Sequence, residues 1–256
     1  MLNEILQDVS DYIAWELEEG TLTAEVSTDV VAALAAAPPG GTGSTPSAPG
    51  GTGSTPSASA PVSSPLAAVA SEIAACTRCG LHAGRTNTVP GQGNPQPEIL
   101  FVGEAPGKDE DEQGLAFVGR AGQLLTKMIE AMGFAREDVF IANINKCRPP
   151  DNRKPTREEM DTCLPFLKRQ IATLKPKVII AMGATAVEGL VPLPEGQTIS
   201  KVRGQWLEFE GIPLMPTYHP AYLLRNPAMK RPVWDDLKTV LGLLGRSVPV
   251  VKKPTD

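Results

Sequence analysis

The sequence predicts an α/β fold, a mostly parallel four-stranded sheet with helices on both faces, and three observations predict it. From residue 66 onward, short apolar runs alternate with segments of helical periodicity. The runs are continuous rather than alternating in polarity, as in strands buried on both faces. The unusual residues cluster just after them, where such sheets place their ligand sites. At 256 residues the chain is long enough for one domain with a substantial core and an additional arm.

Before that domain, Leu2, Ile5, Val9, Tyr12, Ile13 and Leu17 recur at helical spacing among acids, so residues 1–37 read as an acidic helical arm. Residues 38–65 are almost entirely Pro, Gly, Ser, Thr and Ala, and GGTGSTPSA at 40–48 recurs at 50–58. This is the composition of a disordered linker, which as a flexible coil would span about 30 Å. The arm therefore reads as a docking segment for another protein or as a solvated tail. Ile99 to Gly103, Val139 to Ile144, Val178 to Met182 and Leu214 to Tyr218 read as the four strands. Gly122 to Met132, Thr156 to Leu174, Ala184 to Leu190 and Val233 to Leu244 read as helices, which gives a domain over 66–246 and a tail over 247–256.

The formal net charge is -5, with 24 basic and 29 acidic residues. Residues 1–65 hold eight of the acids and no Lys or Arg, so the remainder carries 24 basic against 21 acidic residues. A mildly basic body is compatible with a nucleic-acid partner. The most apolar stretches are far shorter than the roughly 20 residues a bilayer demands, and the acidic N-terminus lacks the basic start of a signal peptide. A cytoplasmic, membrane-free monomer is expected. In that compartment Cys76, Cys79, Cys147 and Cys163 read as metal ligands rather than disulfides. Their spacing leaves a structural zinc and an iron–sulfur cluster both open, with four unrelated buried cysteines as the remaining reading.

Gly103 to Gly107 (GEAPG) and Phe117 to Gly122 (FVGRAG) follow the first strand. The Walker phosphate-loop spacing is not met, and Pro106 removes a backbone donor that a dinucleotide pyrophosphate would need. The last strand runs into His219, at the head of a Pro-bounded segment with Leu223, Leu224, Arg225 and Asn226. A histidine so placed is a catalytic candidate; His82 has no such setting and reads as structural.

GEAPG, FVGRAG, NINKCRPPDNR and HPAYLLRNP, in this order and interleaved with the four cysteines, closely resemble the family 4 uracil-DNA glycosylases over about residues 66–245. The resemblance implies a three-layer αβα sandwich and a 4Fe-4S cluster on Cys76, Cys79, Cys147 and Cys163. It also implies hydrolysis of the N-glycosidic bond of a uracil flipped out of DNA, leaving an abasic site for base excision repair. By the same resemblance Phe117 stacks on the uracil, Asn143 reads its polar edge, and His219 faces O2. Asn can donate to O4 and accept from N3–H, a pairing that cytosine cannot offer.

Further roles follow from the resemblance. Glu104 and Asn152 help to organise the water, Glu110 supports the loop, and the backbone at Ala105 lines the pocket, where the superfamily's better-known members carry an Asp. Without that carboxylate, a dissociative pathway with a cationic sugar captured by water is expected. Leu223, Leu224 and Arg225 resemble a wedge that enters the duplex, and Lys146, Arg148, Arg153, Lys154 and Arg157 would form a phosphate-binding rim. A related branch that crosslinks itself to uracil-DNA through an inserted histidine reads Gln at the position of Ala105. No histidine lies between Cys147 and Cys163 here, so ordinary turnover is expected. Two alternatives stand beside this reading: a non-catalytic iron–sulfur DNA-binding module associated with replication, and a zinc-stabilised nucleotide-binding protein.

Overall fold

The computed structural model describes residues 64–193 and 196–249. The arm at 1–37 and nearly all of the linker at 38–65 lie outside the described residues, as does most of the tail. The described sheet has six strands: β1 Gln92–Gly93, β2 Ile99–Gly103, β3 Phe140–Asn143, β4 Val178–Met182, β5 Leu207–Phe209 and β6 Ile212–Thr217. Their order is β1-β3-β2-β4-β6-β5. The inner four are parallel, while β1 and β5 add antiparallel at the two edges. The expected four-stranded sheet is thus the parallel centre of a six-stranded one. The sequence reading missed β1 and β5 because two- and three-residue strands carry too few side chains to establish a period.

Helices cover both faces. We number them α1 Pro65–Ala74, α2 Lys108–Gln113, α3 Arg120–Ala131, α4 Arg157–Leu174, α5 Ala184–Leu190, α6 Ile199–Val202, α7 Pro220–Arg225 and α8 Lys230–Leu243. Alternation along β2 divides the core. Ile99 and Phe101 join Leu125 and Ile129 of α3 and Leu237 and Leu241 of α8. Leu100 and Val102 face the other way, toward Met160, Leu167 and Ile171 of α4 and Val187 of α5. Successive strand side chains point to opposite faces, so a five-residue run that is buried throughout requires a helical layer on each side. A three-layer sandwich results.

The longest helix has a start that is legible in the sequence. Thr156 Oγ1 accepts from the Glu159 N–H at 3.2 Å, and the Glu159 carboxylate accepts from the Thr156 N–H at 2.8 Å, closing a capping box. Such a cap stabilises a helix by about 1 kcal/mol. Among the described residues no helix is long and apolar enough to cross a membrane.

Candidate active site and thiol cavity

Parallel strands leave their last carbonyls and side chains at one edge of the sheet, and the site is built there. Asn143 ends β3, Gly103 ends β2, and β6 hands the chain to Tyr218 and His219. Gly103 shows how tightly these ends converge. A Cβ at that position would lie 2.4 Å from Asn143 Oδ1 and 2.5 Å from Phe117 Cζ, so only glycine lets both side chains reach the strand end. The Phe117 and His219 ring centroids are 5.5 Å apart. Phe117, Asn143 and His219 therefore surround one small space. Asn143 Oδ1 is buried there without a hydrogen-bond partner among the described residues, a state that costs about 1–3 kcal/mol unless something binds it.

His219 is held in one protonation state. It caps α7, and its Nδ1 accepts the Ala221 N–H at 3.1 Å, so in the neutral ring the proton must sit on Nε2. His219 as a whole is half-buried. Burial, and secondarily the positive Arg225, push its pKa down to about 4. Near pH 7 the site thus offers a neutral imidazole whose Nε2–H is not committed to the helix cap.

Phe117 reaches the site with its backbone in the left-handed region at φ 52°, which costs a non-glycine residue roughly 1–3 kcal/mol. Glu110 braces the loop as expected. One carboxylate oxygen accepts the Val118 and Gly119 N–H groups at 2.9 Å each, and the other accepts the Gly107 N–H at 3.1 Å. Glu104 and Ala105 follow β2 and are half-buried. The Glu104 carbonyl accepts the Asn145 N–H at 3.0 Å, tying GEAPG to the segment after β3. Asn152 stands apart. It is exposed at φ 53°, and its Oδ1 accepts from Arg148 Nε at 2.8 Å.

Four thiols line a second cavity. Cys76 and Cys79, from the turn after α1, meet Cys147 beyond β3 and Cys163 on α4, together with His82, Arg85, Lys146 and Phe166. All four cysteines are free of disulfides. Arg85 Nη1 donates to Cys147 Sγ at 3.2 Å and to the Cys76 carbonyl at 2.8 Å, and the Lys146 N–H donates to Cys163 Sγ at 3.3 Å. Burial raises the Cys147 thiol's pKa and pushes that of Cys163 up to about 11. Among the described residues no three His, Cys, Asp or Glu side chains close around a single-ion position. The four thiols border one cavity. Arg85 went unrecognised in the sequence, where an isolated Arg in a loop carries no pattern. His82 lines the same cavity, its Nδ1 2.7 Å from the Cys79 carbonyl oxygen.

Two expectations for the DNA-facing surface, those for Lys146 and Leu223, are corrected. Lys146 is no part of an exposed rim: it is 1 % exposed, its Nζ donates to the Asn143 carbonyl at 2.7 Å, and burial lowers its pKa to about 8. The charged look of Lys146-Cys147-Arg148 conceals a lysine that faces inward because β3 continues into buried chain. Leu223 is 1 % exposed in the core, because the expected loop is the helix α7, which points one leucine inward and leaves Leu224 39 % exposed beside an exposed Arg225. Arg148 is half-buried, while Arg153, Lys154 and Arg157 are exposed but paired with Glu159, Glu188 and Asp161 at 2.7, 2.6 and 2.9 Å.

Comparison with known proteins agrees with this geometry. Residues 90–238 match the model of the Uracil DNA glycosylase superfamily. A type-4 uracil-DNA glycosylase of Archaeoglobus fulgidus is 43 % identical over 189 residues, covering 72 % of this chain and 95 % of that protein. One from Thermotoga maritima is 47 % identical over 175 residues, covering 66 % of this chain and 90 % of that protein. With Gly103, Phe117, Asn143 and His219 of the strand-end site inside residues 90–238, the chain belongs to the uracil DNA glycosylase superfamily.

Proposed function

We propose that this protein is a hydrolase of DNA repair that flips uracil out of DNA and cleaves its N-glycosidic bond, leaving an abasic site. The observation that carries the reading is His219 beside Phe117 and Asn143, its Nδ1 accepting the Ala221 N–H so that the neutral ring carries its proton on Nε2. Phe117 stacks on the flipped base, and the Asn143 amide, whose Oδ1 has no partner among the described residues, pairs with N3–H and O4. As the bond from C1′ to N1 lengthens, its electron pair moves onto uracil and charge grows at O2, where His219 Nε2–H donates. Water then bonds to C1′, and its proton ends in solution or on the released base.

Ala105 brings no carboxylate, which favours capture of a cationic sugar by a positioned water over attack by a strongly activated one. Half-buried Glu104 is the group we assign to that positioning. Asn152, exposed and held by Arg148, is not given that role. Leu224 and Arg225, exposed at the end of the helix that His219 caps, are proposed to enter the duplex.

The thiol set fits an iron–sulfur cluster: four sulfur donors from three separated segments share one cavity, with Arg85 and the Lys146 N–H directed at two of them. We assign Cys76, Cys79, Cys147 and Cys163 as ligands of a 4Fe-4S cluster, which would supply structural crosslinking rather than a chemical step. We take the protein to act in the cytoplasm as a monomer, a reading that four cysteines free of disulfides support. The acidic pattern of residues 1–37 is proposed as a docking segment for another protein.

The test is release of free uracil from a uracil-containing oligonucleotide by anaerobically purified protein. His219→Ala and Asn143→Ala should each lower the rate at least about tenfold, since one such donor is worth roughly 100- to 1000-fold. Undiminished release by both variants would refute the pocket assignment. No release from iron-loaded wild type would favour the DNA-binding module.

A further inference from the structure

Phe117 cannot hold its orientation by itself. Its φ of 52° lies in the region that L side chains avoid. The adjoining helix gives it no room to relax, because a Cβ at Gly122 would lie 1.9 Å from the Phe117 carbonyl oxygen. Something must fix the two peptide planes that flank its Cα.

Arg136 meets both. It begins the short 3-10 turn Arg136–Asp138 before β3, a turn closed by the Ala135 N–H donating to Asp138 Oδ2 at 2.8 Å. Its Nη2 donates to the Ala116 carbonyl at 2.7 Å and to the Phe117 carbonyl at 2.8 Å. Its Nη1 donates to Thr126 Oγ1 at 2.8 Å and to the Gly122 carbonyl at 3.4 Å, which moors the guanidinium to α3. One nitrogen thus holds the carbonyls on either side of the Phe117 Cα, and these set its φ and ψ. From the opposite edge, the Glu110 carboxylate accepts the Val118 N–H, so the peptide between Phe117 and Val118 is gripped at its oxygen and its nitrogen by opposite charges.

We propose that Arg136 is a positioning residue for uracil stacking, its guanidinium fixing Phe117 in the left-handed conformation that aims the ring at the base site. The proposal rests on the reading of Phe117 as the stacking aromatic. Arg136 touches neither base nor reacting atoms; it acts through the aromatic. Arginine is required because its planar fork reaches the two carbonyls and Thr126 together.

The experiment is a double-mutant cycle on the full chain, with single-turnover uracil release and affinity for uracil-free duplex as readouts. Arg136→Met should slow release roughly 10- to 100-fold, the cost of a misplaced binding group, while affinity for uracil-free duplex stays within about twofold of wild type. In the Phe117→Ala background the same change should add nothing beyond about twofold. Arg136→Lys, which keeps the stem and the charge, should recover part of the rate and serves as the cycle partner if the Met variant melts. A full loss from Arg136→Met that persists in the Phe117→Ala background would overturn the proposal, as would an unchanged rate in Arg136→Met. An unchanged rate in Phe117→Ala alone would instead overturn the stacking assignment.

Discussion

Acidification tests the catalytic assignment through one group. The ordinary histidine pKa of 6.5 falls to about 4 at His219, first because the ring is desolvated and then because Arg225 is near. At about 1.36 kcal/mol per unit, placing a proton on Nδ1 costs about 3 kcal/mol more here than in the unfolded chain. The structure also says what that proton would displace: Nδ1 accepts the Ala221 N–H at the head of α7 and cannot do so once protonated. Single-turnover uracil release should therefore stay flat from about pH 8 to about pH 5 and decline only toward pH 4, and His219→Gln should remove that decline. A decline centred near pH 6.5 would mean an ordinary, solvated histidine and would refute the argument. A decline near pH 4 that persists in His219→Gln would assign it to another group. The stability consequence has a definite sign. Because the folded pKa is depressed, the unfolded chain takes up the proton first, so the contribution is complete above about pH 6.5 and is lost as pH falls toward 4.

Three further outcomes follow from the packing. Gly103→Ala should lower uracil release about 100-fold or more, because its Cβ would occupy the space of Asn143 Oδ1 and the Phe117 ring; wild-type turnover by this variant would show that the strand-end geometry is wrong. Leu223→Ala should cost about 2–5 kcal/mol in denaturant unfolding, whereas Leu224→Ala should leave stability within about 0.5 kcal/mol and slow release from duplex more than from single-stranded DNA. Cys163→Ser should lower both iron content and melting temperature, since the thiol cavity joins the turn after α1, the segment after β3 and α4; full iron loading in the variant would remove Cys163 from the ligand set.

The sequence by itself determined the parallel centre of the fold. Ile99–Gly103 and Val178–Met182 are strands with the bounds that their apolar runs predict, because a strand buried on both faces has no polar position to blur its ends. The same holds for α4, whose Thr156 and Glu159 announce its start. The ordered motifs also contain Phe117, Asn143 and His219, which the fold gathers at the strand ends, and the four cysteines, which it gathers at one cavity.

Only the tertiary structure decided which charged and apolar side chains turn inward. Lys146 and Leu223 belong to polar-looking segments, yet one donates to a backbone carbonyl within the core and the other points from α7 into the core. Arg85 and Arg136 carry no signal in the sequence, because an arginine that serves backbone carbonyls from a distant loop has no fixed spacing to the residues it holds. Arg136 is 19 residues from Phe117 along the chain, and their hydrogen bond exists because α3 and the turn before β3 bring the two together. Local patterns record what a residue asks of its own element; a partner reached through the fold leaves no trace in them.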